Sequence, residues 1–362
     1  MKSLKLAALT AASLGVAGSS SAILSLDGSF GVSDAHYQRL SQQSPFASVG
    51  SFDYTEGGNS FSATGTLIAP NWVLTAGHNF STAGGVTGTF NIGALQSSFS
   101  SSSIFFHPSW AGSPNVGPTQ GADIALVRLN SAISGVAPSR VASAGNFVGL
   151  TSVTVGYGAW GDGTAASNPG DGNKRAMMNR IDRQYATPFN GNGPQGGILV
   201  TDFDNTNANR NTLDRANVLA TDPGFALYNQ SYSDLSDTFL PTGQTSAAGF
   251  GGLPTARDVF GDSELPEVWM EGSTGQGDSG GPTFANLEGE WQIIGVTSWG
   301  ENPVFADDAW RTQGRYGDLS VLVDATQHAA WIDATVPEPS SFAVIGLGAL
   351  ALLRRKRQPK AS

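Results

Sequence analysis

Between Pro45 and Leu129 short apolar runs alternate with turn residues: FASVGSF, FSATGTLIAPNWVLTAGH, TFNIGAL, SIFFHPSW and DIALVRL. The intervals carry Gly, Asn, Ser or Pro, so the pattern predicts β-strands of about five or six residues. A second set begins at Val153 with VTVGYGAW and resumes with WQIIGVTSWG and YGDLSVLV. TQHAAWIDA, near the end, predicts a short helix. The intervening stretch 162–266 is dense in Gly, Asn, Asp and Ser and reads as a long loop-rich insertion on a pair of β-domains. NTNANRN within it and SSFSSSS before it are polar low-complexity runs, and no repeat of fixed period is present.

The two ends break this pattern. MKSLKLAALTAASLGVAGSSSA has two lysines, an apolar stretch and a small-residue end, the form of a signal peptide over 1–22 with cleavage after Ala22 by signal peptidase. At the other end the apolar run 342–353 spans 12 residues, too short to cross a bilayer as a helix, and four basic residues follow it. Such a tail holds that end on the cytoplasmic side during export, a transient membrane association. Without 1–22 and 336–362 the body keeps 12 basic and 28 acidic residues, a formal charge of −16. A surface of that sign repels nucleic acid and anionic lipid. The chain has no cysteine, which excludes thiol catalysis and cysteine metal sites. With 362 residues and 40 % hydrophobic content it can bury a core without disulfides.

Three short stretches carry candidate chemistry. LTAGHN places His78 straight after an apolar strand among small residues. ADIALVRL places Asp123 at the start of an apolar strand, where a carboxylate is either exposed or buried with a hydrogen-bond partner such as His78. In GDSGGP, Ser279 follows Asp278 among glycines. A serine hydroxyl is a poor nucleophile until a base takes its proton, and the oxyanion that follows needs preorganised donors. Glycine at 277 lets the backbone N–H groups of Gly277 and Ser279 face one point. A plain Gly/Ser turn would leave the charge before the serine unexplained.

LTAGHN, DIALVRL, GDSGGP, TSWG and the terminal WI, in that order, resemble the chymotrypsin/trypsin-like serine proteases. The resemblance runs from about Pro45 to Ile332 and implies an all-β fold of two antiparallel six-stranded barrels with the site in the cleft between them. The N-terminal barrel is expected over about 45–145 and the C-terminal one over about 150–332, within a protease domain at 23–335. The interval from Asp123 to Ser279 is longer than usual, which the loop-rich stretch absorbs. By resemblance Ser279 is the nucleophile, His78 the general base and Asp123 its orienting partner, with Gly277 and Ser279 as oxyanion donors and no metal or cofactor. The substrate is a protein or peptide. Ser273 matches the base of the specificity pocket and Gly300 and Gly314 its walls. A neutral base between glycine walls implies a large apolar or aromatic side chain rather than Arg or Lys. Ser298, Trp299 and Gly300 would pair with the substrate backbone as an added strand.

The chain departs from the family in two places. The usual Ile-Val-Gly-Gly activation site is absent, so the partner of Asp278 must come from elsewhere; Ile23, released by cleavage after Ala22, is one candidate. The disulfide beside the histidine is replaced by Ala63 and Asn79. At the C-terminus, Pro-Glu-Pro with the apolar run and basic tail resembles the PEP-CTERM sorting signal, here 336–358, which implies processing by an exosortase and delivery to the cell surface or extracellular matrix.

Other readings compete with these. GDSGG also fits the nucleophile elbow of α/β-hydrolases, with Asp308 or Asp318 and then His328 as partners, but alternating helices are missing and LTAGH and DIALVRL go unexplained. A non-catalytic matrix or adhesion protein reusing the fold is the alternative from another class. Asp202 and Asp204 read as an acidic solvated loop before a Ca²⁺ site. His36 and His107 read as surface residues, and Trp72, Trp299 and Trp331 as core or pocket wall.

Overall fold

The computed structural model describes residues 23–26, 28–110, 112, 121–164, 168–185, 197–203, 270–301 and 315–337. The leader 1–22, Asp204, Asp308, Gly314 and the apolar C-terminal run lie outside them.

The first strand set folds as expected, except that β6 runs into the serine-rich stretch read as low complexity. Strands β2 (Val49–Glu56), β3 (Asn59–Ala69), β4 (Trp72–Thr75), β5 (Thr87–Ile92), β6 (Leu95–Ser100), β7 (Ile104–Phe106) and β8 (Ala125–Arg128) form one antiparallel sheet ordered β6-β5-β2-β3-β4-β8-β7. Alternation along β2 puts Phe52 and Tyr54 inward, where Phe52 meets Phe80, Phe90 and Phe99 at ring distances of 4.9–5.5 Å. This aromatic centre is what curls the sheet onto itself.

The second sheet is ordered β10-β9-β14-β15-β16-β12-β11, again antiparallel throughout. Its strands are β9 (Thr151–Gly156), β10 (Arg175–Arg180), β11 (Arg183–Tyr185), β12 (Ile198–Asp202), β14 (Pro282–Leu287), β15 (Glu290–Glu301) and β16 (Leu319–Asp324). The molecule is therefore mostly β, with two curled sheets of the chymotrypsin type, each counting seven strands rather than six once the short edge strands are included. Three of these strands lie inside the stretch read as loops: β10, β11 and β12 begin at Arg175 and end at Asp202. Asp202 is accordingly not on a solvated loop but buried in β12.

A shared core joins the sheets. Leu74, Ile124 and Leu126 of the first pack with Val153, Val155, Phe284, Ile293 and Val296 of the second. The chain ends in a 3₁₀ turn, Ala325–His328, and helix α2 (Ala329–Thr335), where TQHAAWIDA predicted a helix. Ile332 and Trp331 fold this helix back onto the shared core. His107 is half-buried: its ring meets His328 at 4.5 Å and Trp331 at 5.1 Å.

The unforeseen part is an N-terminal arm. Strand β1 (Leu24–Ser25) pairs with β13 (Gly272–Ser273), and helix α1 (Asp34–Ser41) packs on β10. Ile23, Leu24, Leu26, Val32 and Tyr37 of the arm are buried with Met177 and Met270.

Candidate active site

His78 sits on a single 3₁₀ turn, Gly77–Asn79, that ends β4, and Asp123 lies two residues before β8, the strand paired with β4. Strand pairing thus brings imidazole and carboxylate together. Asp123 Oδ1 accepts the His78 backbone N–H at 2.7 Å, and Oδ2 meets His78 Nδ1 at 2.5 Å. On the far side of the ring, Nε2 is 2.8 Å from Ser279 Oγ, which arrives on the turn between β13 and β14 of the other sheet. Small residues next to His78 are needed for space: a Cβ at Gly77 would stand 3.2 Å from the Trp110 indole.

The electrostatics follow from this contact. Burial drives the His78 pKa down, but the Asp123 charge and hydrogen bond outweigh it, so the net shift is upward from 6.5. Burial raises Asp123, and His78, Ser298 and the His78 amide outweigh that, so the net shift is downward. The sequence assigns Ser298 only to substrate pairing, yet its Oγ donates to Asp123 Oδ2. Sequence offered no direct signal for that bond beyond a lone hydroxyl in TSWG.

The turn carrying Ser279 is built on glycines that no other residue can replace without strain. Gly277 has φ +94° and Gly280 φ +83°, and a Cβ on Gly280 would lie 2.0 Å from Thr75 Oγ1. The amides of Asp278, Gly280 and Gly281 donate to Gly275, Thr297 and Asp278 carbonyls. Among the described residues, the N–H groups of Gly277 and Ser279 have no acceptor. Asn79 donates to the Ser279 carbonyl at 3.1 Å and to Thr75 Oγ1 at 2.9 Å. Ala63 is buried in the first sheet.

Asp278 itself points away from solvent and is fully buried. Its carboxylate accepts the N–H groups of Gly158 and Gly275, each at 2.7 Å, and the Ile23 amide lies nearby. Burial pushes its pKa up to about 8 despite these donors and the charge of Arg175.

Ser273 is buried, and its Oγ is 3.1 Å from Ser320 Oγ. Thr274 bonds Ser320 Oγ through its amide at 2.9 Å and its hydroxyl at 3.0 Å. Ser320 pairs across the sheet with Gly300, and Trp299 with Val321. Ser320 was missed because LSVLV reads as a plain core strand. The rival partners of Ser279 are elsewhere: His328 Nε2 bonds the Gly121 carbonyl at 2.7 Å, and Asp318 accepts the Arg315 amide.

A protein-family model described as Trypsin matches residues 38–204, and one described as PEP-CTERM protein-sorting motif matches residues 335–358. The first covers His78 and Asp123 and ends before Ser279, so the serine joins them through the fold. The second marks the chain for export and surface targeting, with processing by an exosortase.

Proposed function

We propose that this exported trypsin-fold protein is a serine endopeptidase that works through an acyl-enzyme. The observation that supports it most is the position of His78, 2.5 Å from Asp123 on one side and 2.8 Å from Ser279 on the other. In this reading Ser279 Oγ attacks the scissile carbonyl while His78 Nε2 takes its proton and then delivers it to the leaving amine. Asp123 holds the Nδ1–H tautomer and stabilises the imidazolium, and Ser298 keeps the carboxylate in place. The N–H groups of Gly277 and Ser279 receive the oxyanion.

The pocket base is uncharged, since Ser273, Thr274 and Ser320 satisfy one another's hydroxyls. Ser320, rather than a glycine, stands opposite Gly300, and in this reading its side chain would shorten the space available. The expected preference moves from a large aromatic to a mid-sized uncharged side chain, and Arg and Lys substrates should lag by about tenfold or more. A peptide library digest reads this directly.

Activation is proposed to follow from export. Removal of 1–22 would convert the Ile23 amide, already at Asp278, into an α-ammonium beside a buried carboxylate. Acetylating the mature α-amine should then abolish activity, and full activity after acetylation would exclude this route. The catalytic reading is tested with a fluorophosphonate probe on the processed protein. Wild type should label, and Ser279→Ala and His78→Ala should not; an unlabelled wild type would favour a non-catalytic surface protein.

A further inference from the structure

Arg175, at the start of β10, lies outside the catalytic contacts, yet its side chain is only 1 % exposed. All five of its N–H donors are engaged. Nε and Nη2 grip the Asp34 carboxylate of α1, the latter at 2.9 Å. Nη1 and Nη2 each meet an Asp171 oxygen at 2.8 Å, and Nη1 also reaches the Asn173 carbonyl at 3.4 Å. The guanidinium lies 5.3 Å from the centre of the Trp160 ring. So complete a use of one buried cation is more than an exposed arm would require.

Its location gives this clamp a second effect. Arg175 pairs across the sheet with Gly156, and a Cβ on Gly156 would stand 2.0 Å from Asp278 Oδ1. The clamp is therefore one strand removed from the carboxylate that holds the catalytic turn. The arm it anchors runs back to the same place. Tyr37 of α1 accepts the Leu26 amide at 2.9 Å and donates to the Glu271 carbonyl at 2.7 Å. Ser25 donates to the Gly161 carbonyl, and β1 pairs with Gly272–Ser273, just before Gly275, whose amide bonds the Asp278 carboxylate at 2.7 Å.

We propose that Arg175 is a positioning residue for the catalytic turn: by holding Asp34 and Asp171 it seats the arm Ile23–Ser41, and the seated arm fixes Asp278 and with it the Gly277 and Ser279 amides. The proposal deepens the proteolytic reading and rests on it for its kinetic consequence, though not for its structural one. Asp34→Asn weakens the grip from the arm's side and leaves the core residue in place. Arg175→Met removes it from the sheet's side, and Arg175→Lys keeps the charge without the fork.

The test is amide hydrogen exchange on the processed full chain, with kcat and KM measured alongside. Asp34→Asn and Arg175→Met should speed exchange in 272–281 by roughly tenfold while β2 and β3 stay at wild-type rates. The kcat should fall on the order of tenfold or more, with KM little changed, because misplaced oxyanion donors cost transition-state binding. Arg175→Lys should recover only part of either loss. Exchange in 272–281 that stays at the wild-type rate, or that rises equally over the whole chain, would overturn the proposal and leave Arg175 a structural ion pair. A wild type that exchanges as expected but takes no fluorophosphonate would instead sink the proteolytic reading alone.

Discussion

Asp123 depends on three donors, two from His78 and one from Ser298, and each holds a charge that burial opposes. Asp123→Asn should cost about 10⁴-fold in kcat, by offering the imidazole the wrong tautomer. Ser298→Ala removes one charge-assisted hydrogen bond, and a loss of about 10- to 100-fold in kcat is expected together with a stability cost of about 1–3 kcal/mol. Steady-state kinetics on a peptide ester separates the two. Because Asp123 raises the His78 pKa, the acid limb of kcat/KM should fall above pH 6.5, and activity is lost as pH drops through it, since a protonated ring cannot accept the serine proton. His78, Asp123 and Ser279 were legible in the sequence because their neighbours are small or strongly patterned. Ser298 and Ser320 were not, because a hydroxyl in a strand looks the same whether it touches a carboxylate, another hydroxyl or water.

At the level of elements, the GDSGGP turn is fixed by exclusion of side chains. Gly280→Ala would place a methyl 2.0 Å from Thr75 Oγ1 and 2.4 Å from the Thr64 carbonyl, at φ +83°. A loss of more than ~3 kcal/mol is expected, read as a fall in Tm together with loss of probe labelling. The junction of β16 and α2 carries a different liability. His328 is buried against His107 and the Gly121 carbonyl, and burial brings its pKa down from 6.5 to about 4. As pH falls through that window the unfolded chain binds a proton that the folded chain refuses, so stability drops, by about 3 kcal/mol in all. Denaturant midpoints between pH 7 and 4 should show it, and His328→Phe should flatten the slope. The strands of the first sheet were legible because apolar and polar positions alternate cleanly. Strands β10 to β12 were hidden because they bury Asn179, Gln184 and Asp202, whose polarity imitates a loop. Helix α1 was hidden for a related reason: in DAHYQRLS only Tyr37 and Ser41 are fully buried, too few to give a helical period.

Across the whole molecule, the chain order His, Asp, Ser distributes the site between two sheets: in the proteolytic reading the proposed base and its carboxylate are on the first and the proposed nucleophile on the second. Besides His78 to Ser279, the hydrogen bonds between them at the site include Thr64 N–H to the Ser279 carbonyl at 3.0 Å, Thr64 Oγ1 to the Gly277 carbonyl at 2.9 Å, Asn79 to the Ser279 carbonyl, Tyr157 N–H to Thr64 Oγ1 and Ser298 Oγ to Asp123. No disulfide reinforces them. The reaction rate is then a ruler laid across the seam, since a shift of one sheet by about an ångström would separate base from nucleophile without unfolding either half. Along a denaturant series, probe labelling should fade before the tryptophan signal moves, and Asn79→Ala should widen that gap. A protein sent out of the cell without cysteines would in this way carry its own gauge of mechanical fit, read out by its chemistry.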